Sequence, residues 1–394
     1  MNKTGSNRNS PLEAAAGLPG TLRLEEIAEF LYEESAHPHT DLGLAHGKLG
    51  PFLFLYAYSG WLGGHERYES RAEEVFMDVV RALYRREDKG LLYYREVAEL
   101  GMLVGYLQTR EYLDDSFSEV LGKVDAVALQ GLERFSVHGN YDPFTGYLPL
   151  GRYSLSRNTP EAREVREGVL DNLWKIRETG PEGIYFRSRL FDSGRIYLGW
   201  SHGLAAIALF LCRWGRYEPL PARGMTLLKG ITDFIRAQAV EGRLHLYPDI
   251  LETPKDPSPL NLCYGDLGIT YALLESSRVL DDPALEDLAR GQILYCSGRR
   301  DLAGAGIKDP SLIYGAMGTA LFFRHLREDE AAGYWYGQAM ALSNHPDQPA
   351  GYDHYFNKGK KSVMASLFEG VAGFGLGILE HEGADLQLLP LVGY

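Results

Sequence analysis

Seven glycine-bearing segments recur along this 394-residue chain, and the groups able to do chemistry stand at or just before their leading glycines: His46, Glu99, Asp142, His202, Cys263 with Tyr264, Tyr314, and Glu369. An imidazole and a carboxylate together form an acid–base pair. A thiol is a nucleophile or a soft metal ligand, and a phenol gives a hydrogen bond or a proton to a developing oxyanion. Each position reads as the turn that enters a helix, where unpaired N–H groups and the positive end of the helix dipole favour anions such as a thiolate or an enolate. Plain structural readings stand beside the chemical ones. His46 reads as a capping or core hydrogen-bond partner, Asp142 alone as an N-cap, and Cys263 alone as a small buried hydrophobe. Tyr264 and Tyr314 serve as aromatic lining in a chain with 25 tyrosines, and Glu99 and Glu369 as polar rim.

The elements that must carry these groups follow from the repeat itself. The segments are LAHGKLGPFLFLY, AELGMLVGYLQ, YDPFTGYLPLGRYSL, GWSHGLAAIALFL, LCYGDLGITYALL, LIYGAMGTALFF and LFEGVAGFGLGIL. Their leading glycines, Gly47, Gly101, Gly146, Gly203, Gly265, Gly315 and Gly370, are 54, 45, 57, 62, 50 and 55 residues apart. Between them lie segments with apolar residues at three and four spacing and a charged opposite face, such as YESRAEEVFMDVVRALYRRE and EAREVREGVLDNLWKIRE. Amphipathic helices alternating with apolar, glycine-rich ones predict an all-α fold, an α/α toroid with an outer and an inner ring of seven helices each. Small residues three apart, as at Gly47 and Gly50, Gly203 and Ala206, Gly315 and Gly318, or Gly370 and Gly373, suit close backbone approach in a crowded inner ring. Each hairpin buries its apolar face only against both neighbours, so residues 21–394 form one domain although the length alone would allow two or three. Residues 1–20 read as a disordered extension.

Composition limits the partners. Forty Lys plus Arg against 53 Asp plus Glu leave a formal charge of −13, and the Lys358, Lys360, Lys361 patch reads as a solvated loop, so no nucleic acid is expected. The longest uncharged run, Ile196 to Cys212, has 17 residues with Ser201 and His202 inside it, too short and too polar to predict a membrane span. Three cysteines, Cys212, Cys263 and Cys296, in no paired spacing argue against a disulfide framework, and a cytoplasmic location is expected.

The segments YDPFTG, WSHG and CYGDLG, in that order within a sevenfold frame, resemble the lanthionine synthetase C (LanC) cyclases and their LanC-like relatives over nearly the whole chain after residue 20. The resemblance implies a cyclase that adds peptide cysteine thiols to dehydroalanine or dehydrobutyrine and so closes lanthionine or methyllanthionine thioether rings. The substrate it implies is a precursor peptide, recruited by its leader and dehydrated by a separate dehydratase. It also implies a catalytic Asp at Asp142, a catalytic His at His202 and a Tyr at Tyr264. The family holds zinc with a Cys in the CYG segment, matched by Cys263, and a Cys-His pair in the next segment. Here that pair is Ile313 and Tyr314, and neither Cys212, Cys296, His345 nor His354 has a spacing that replaces it. One thiolate does not hold zinc, so no cofactor is expected.

A thiol is a few per cent ionised at neutral pH, so a base can activate it without a metal. His202 oriented by Asp142 suits that task, while Tyr264 and Tyr314 suit proton return or hydrogen bonding to the enolate. Other readings are a catalytically silent LanC-like peptide-binding scaffold and a LanC-like protein that adds glutathione to dehydrated residues. A carbohydrate-active toroid would need a second acid opposite Asp142, and none is evident among the entrance residues.

Overall fold

The computed structural model describes residues 19–113, 117–137, 139–189, 194–254, 258–355 and 361–393. Among the described residues, seven outer and seven inner helices alternate. The outer ones are α1 (Pro19–Glu34), α3 (Glu66–Arg85), α5 (Ser118–Ser136), α7 (Pro160–Ile176), α9 (Ala222–Ala237), α11 (Pro283–Ser297) and α14 (Asp329–Leu342). The inner ones are α2 (Leu49–Trp61), α4 (Leu91–Thr109), α6 (Leu148–Ser154), α8 (Leu204–Tyr217), α10 (Asp266–Leu280), α13 (Ala316–His325) and α16 (Val371–His381). Short helices α12 (Leu302–Ala305), α15 (Lys361–Met364) and α17 (Leu388–Val392) complete the set.

The two rings differ as their sequences require. In α3 only Tyr68, Ala72, Val75, Phe76, Val79 and Leu83 are buried, a single stripe at three and four spacing. In α8 every residue from Leu204 to Cys212 is buried, because both inner neighbours and the outer layer enclose it. Two outer helices, α7 and α11, begin on side-chain caps: Thr159 accepts from Ala162 N–H and Asp282 from Leu285 N–H, each followed by proline at the first helical position. The ring closes where α16 packs on α1 and α2.

Neighbouring units are also stitched at the entrance loops. Phe368 N–H donates to Ala45 O (3.0 Å), Ile313 N–H to Phe368 O (3.1 Å) and Ser201 N–H to Cys263 O (2.7 Å), joining units seven to one, six to seven and four to five. Apart from Gly101, the leading glycines are where each loop folds back over its own helix start. A Cβ at Gly265 would sit 2.0 Å from Pro259 O, and one at Gly203 2.4 Å from Tyr197 O. The close approach is therefore mostly to the chain's own preceding loop rather than to the adjacent inner helix.

Four details depart from the expected pattern. A two-stranded antiparallel hairpin, β1 (Glu178–Gly180) and β2 (Gly183–Tyr185), follows α7. Its Pro181–Glu182 turn is followed by Gly183 at φ +141°, where a Cβ would meet Gly230 O of α9 at 2.3 Å. Pro19 and Gly20, expected to be part of the extension, open α1, while residues 1–18 fall outside the described residues. The second unit enters its inner helix ten residues before Gly101, at Leu91, so Glu99 and Gly101 lie within α4 rather than at its entrance. Of the lysine patch, Lys358 and Lys360 fall outside the described residues and Lys361 opens α15.

At the end opposite the entrances, α17 lies across the ring. Arg213 Nη2 donates to Pro390 O (2.6 Å) and Arg152 Nη2 to Leu391 O (3.2 Å), two cations on the last carbonyls of that helix. A cavity of about 310 Å³ opens at the same end between the C-terminus of α2 and the Ala384–Leu386 segment. All three cysteines are buried and free. No helix among the described residues is long and apolar enough to cross a membrane.

Candidate active site at the helix entrances

Asp142 and His202 come together although 60 residues separate them. The loop before α6 presents Asp142 and the loop before α8 presents His202, and Asp142 Oδ2 is hydrogen-bonded to His202 Nδ1. The other carboxylate oxygen, Oδ1, accepts N–H groups from Phe144 and Thr145, both at 2.8 Å. Asp142 thus caps its own turn with one oxygen and fixes the imidazole with the other. Burial opposes its ionisation, but the hydrogen bond and charge of His202, helped by the two N–H groups, hold the carboxyl below its usual range.

His202 adopts the left-handed region at φ +63°, uncommon for a residue with a side chain, and Tyr141 Oη donates to its carbonyl at 3.0 Å. The backbone strain of about 1 kcal/mol or more has a visible geometric result, the ring turned onto Asp142. Aromatic rings enclose the imidazole: Phe144 and Tyr197 at 5.6 Å and Tyr264 at 5.8 Å between centroids. Tyr264 in turn stacks on Tyr314 at 5.9 Å and 13°.

The remaining entrance residues divide by exposure. His46, His202, Tyr264 and Tyr314 are half-buried and line the mouth; Asp142, Cys263 and Glu369 are buried behind them. Burial pushes both phenols well above their usual range, so they are neutral hydrogen-bond donors. Burial likewise pushes the Cys263 thiol up, and the negative charges of Glu369 and Asp142 act in the same direction, against opposing hydrogen bonds with the Ser201 and Tyr314 hydroxyls. Cys263 is a protonated thiol beneath Tyr314.

Glu99 does a different job from the one its repeat position implied. From within α4 its Oε2 reaches back to the first unit and accepts N–H groups of Leu44 (2.6 Å) and Ala45 (3.2 Å), beside Arg95 at 3.5 Å. Sequence reading also left out Phe144 and Tyr197, although Phe144 lies inside YDPFTG and Tyr197 five residues before His202. It did not pair His46 with Glu369, whose Nδ1 and Oε1 are 3.7 Å apart.

The residues present do not fit a zinc ion held as in the LanC cyclases. The second and third ligand positions are the apolar, buried Ile313 and the phenol Tyr314, which is itself engaged with Cys263. Among the described residues no three His, Cys, Asp or Glu side chains are grouped to hold a metal.

Alternating helices in two closed rings, with an Asp–His pair at the convergence of the inner helix entrances, define the class. The chain belongs to the lanthionine synthetase C-like protein family, whose model matches residues 38–392. Among solved structures, nisin cyclase shares the fold with a TM-score of 0.71 at 16% identity, covering 94% of this chain and 97% of that one. No curated protein sequence matches this chain.

Proposed function

We propose that this protein is a thioether-forming cyclase that adds a cysteine thiol of a dehydrated precursor peptide to a dehydroalanine or dehydrobutyrine of the same peptide, without a metal. The observation that carries the reading is the buried Asp142 carboxylate bonded to a partly exposed His202 imidazole inside an aromatic enclosure. Family membership and the fold shared with nisin cyclase support the reaction type. In this reading the substrate comes from a separate dehydratase and is recruited through its leader.

The Asp142–His202 pair supplies acid–base catalysis for the addition, in which one proton leaves sulfur and one arrives at the α-carbon. Asp142, held ionised, fixes the ring orientation and stabilises the imidazolium. Tyr264, beside His202, and Tyr314, stacked on Tyr264, are neutral phenols that supply hydrogen bonds to the enolate oxygen that forms as sulfur attacks. Cys263 positions Tyr314 rather than attacking substrate. A positioned base contributes about 10²–10⁴-fold, enough to replace activation of a thiol already a few per cent ionised at neutral pH.

The test is thioether formation, followed as loss of alkylatable thiol by mass spectrometry, on a peptide carrying one cysteine and one dehydroalanine. The unaltered protein is expected to exceed the uncatalysed rate, and His202→Ala and Asp142→Asn to lose about 10²-fold or more. A folded protein with no turnover above background on dehydrated peptide would leave it a binding scaffold instead.

A further inference from the structure

The mouth holds a second imidazole–carboxylate pair that the scheme above leaves idle. His46, from the loop before α2, turns Nδ1 towards Glu369 Oε1 of the loop before α16 at 3.7 Å, which leaves Nε2 on the side away from the carboxylate. The construction repeats that of Asp142 and His202: Glu369 is 5% exposed and the His46 side chain 26%, a buried acid behind an accessible ring. Phe144 joins the two pairs, with its ring centre 5.8 Å from that of His46 and 5.6 Å from that of His202. Phe368 closes the other flank of His46 at 5.7 Å.

The two imidazoles differ in their surroundings. Burial favours the neutral ring at His46; Arg95 of α4 acts in the same direction, and Glu369 and Asp41 act against it. At His202, by contrast, an ionised Asp142 carboxylate is hydrogen-bonded to Nδ1. The two rings flank a shared phenylalanine, one hydrogen-bonded to its acid and the other 3.7 Å from its acid.

We propose that His46, backed by Glu369, is the catalytic base that takes the substrate thiol's proton, while His202 delivers a proton to the α-carbon. This assignment rests on the cyclase reading above. The S–H bond breaks with its proton going to His46 Nε2, and the sulfur lone pair forms the S–Cβ bond. The Cα=Cβ π pair moves onto Cα and the carbonyl, and His202 then supplies the proton of the new Cα–H bond. His46 afterwards releases its proton to water and His202 takes one up, so the thiol has added across the double bond with no co-reactant. Sulfur and the α-carbon are separated by one carbon, and hydrogen-bond reach at each end makes a span of roughly 9 Å, suited to two rings that share one aromatic neighbour.

The experiment measures kcat from about pH 5 to 9 on the cysteine–dehydroalanine peptide, with thermal melting of each variant as the folding control. His46→Gln is expected to lower kcat about 10²-fold at neutral pH, and its rate is expected to climb with the ionisation of the free thiol where the unaltered protein is flat. Glu369→Gln is expected to move the acid limb to lower pH, because the carboxylate that favours the imidazolium is gone. His46→Ala is expected to regain rate with added imidazole. An unchanged profile in His46→Gln, or a loss uniform across pH with no imidazole rescue, overturns the assignment while leaving the cyclase reading intact. Absence of thioether product from the unaltered protein overturns both.

Discussion

Asp142 and Asp266 are embedded in nearly the same way and do different things. Each is buried, and each accepts two backbone N–H groups, from Phe144 and Thr145 or from Leu246 and Tyr247. Each also meets one basic side chain. Asp266 meets Arg299, which is 3% exposed and whose Nη2 donates to Ser258 O and Gly304 O. Asp142 meets His202, which is 12% exposed and opens onto the mouth. A guanidinium keeps its proton at any accessible pH, so the Asp266–Arg299 pair is a fixed cross-link between the first residue of α10 and the segment just after α11. An imidazole with an open face can exchange a proton. The partner and its access to the mouth, rather than the acid, decide which pair is structural and which can be chemical.

The largest effect should fall on the structural pair. Arg299→Ala leaves Asp266 buried without its cation and is expected to cost about 3–5 kcal/mol in chemical denaturation, with activity per folded molecule unchanged. Loss of activity without loss of stability would contradict the division. The pH dependence of stability should have opposite signs at the two sites. Burial pushes Asp266 up to about 6 even with Arg299 beside it, so its contribution is full at low pH and is lost as pH rises from about 4 to 6, a change worth about 3 kcal/mol that Asp266→Asn removes. Asp142 is held below the usual carboxylate range. Its advantage over Asp142→Asn, about 1 kcal/mol, is therefore complete above about pH 4 and shrinks as pH falls through its native value. Parallel slopes in the two variants would erase the contrast. The smallest effect is expected for Cys263→Ala, about 1 kcal/mol of stability and a few-fold in rate, measured with the same peptide; a loss matching that of His202→Ala would make the thiol a direct participant.

Much of the architecture was legible because the two rings impose different burial on their helices, and burial writes itself into periodicity. The stripe in α3 and the unbroken apolar run in α8 could be read as outer and inner without coordinates. Asp142 and His202 were legible through the segments that carry them. Glu99 was misplaced because Gly101 occurs at the repeat spacing without being a helix entrance; α4 starts early, and its acids reach back to the backbone of the first unit instead. The β-hairpin escaped notice because three-residue strands leave no periodic signal. The His46–Glu369 pair joins the first unit to the last, a contact that exists only once the ring has closed.

The most direct test is the single-turnover rate of ring closure by protein freed of metal with a chelator and checked by elemental analysis, with His202→Ala run alongside. The account predicts that metal-free protein closes the thioether and that the variant loses about 10²-fold or more. Turnover that appears only when zinc is restored, or that survives undiminished in His202→Ala, would contradict it.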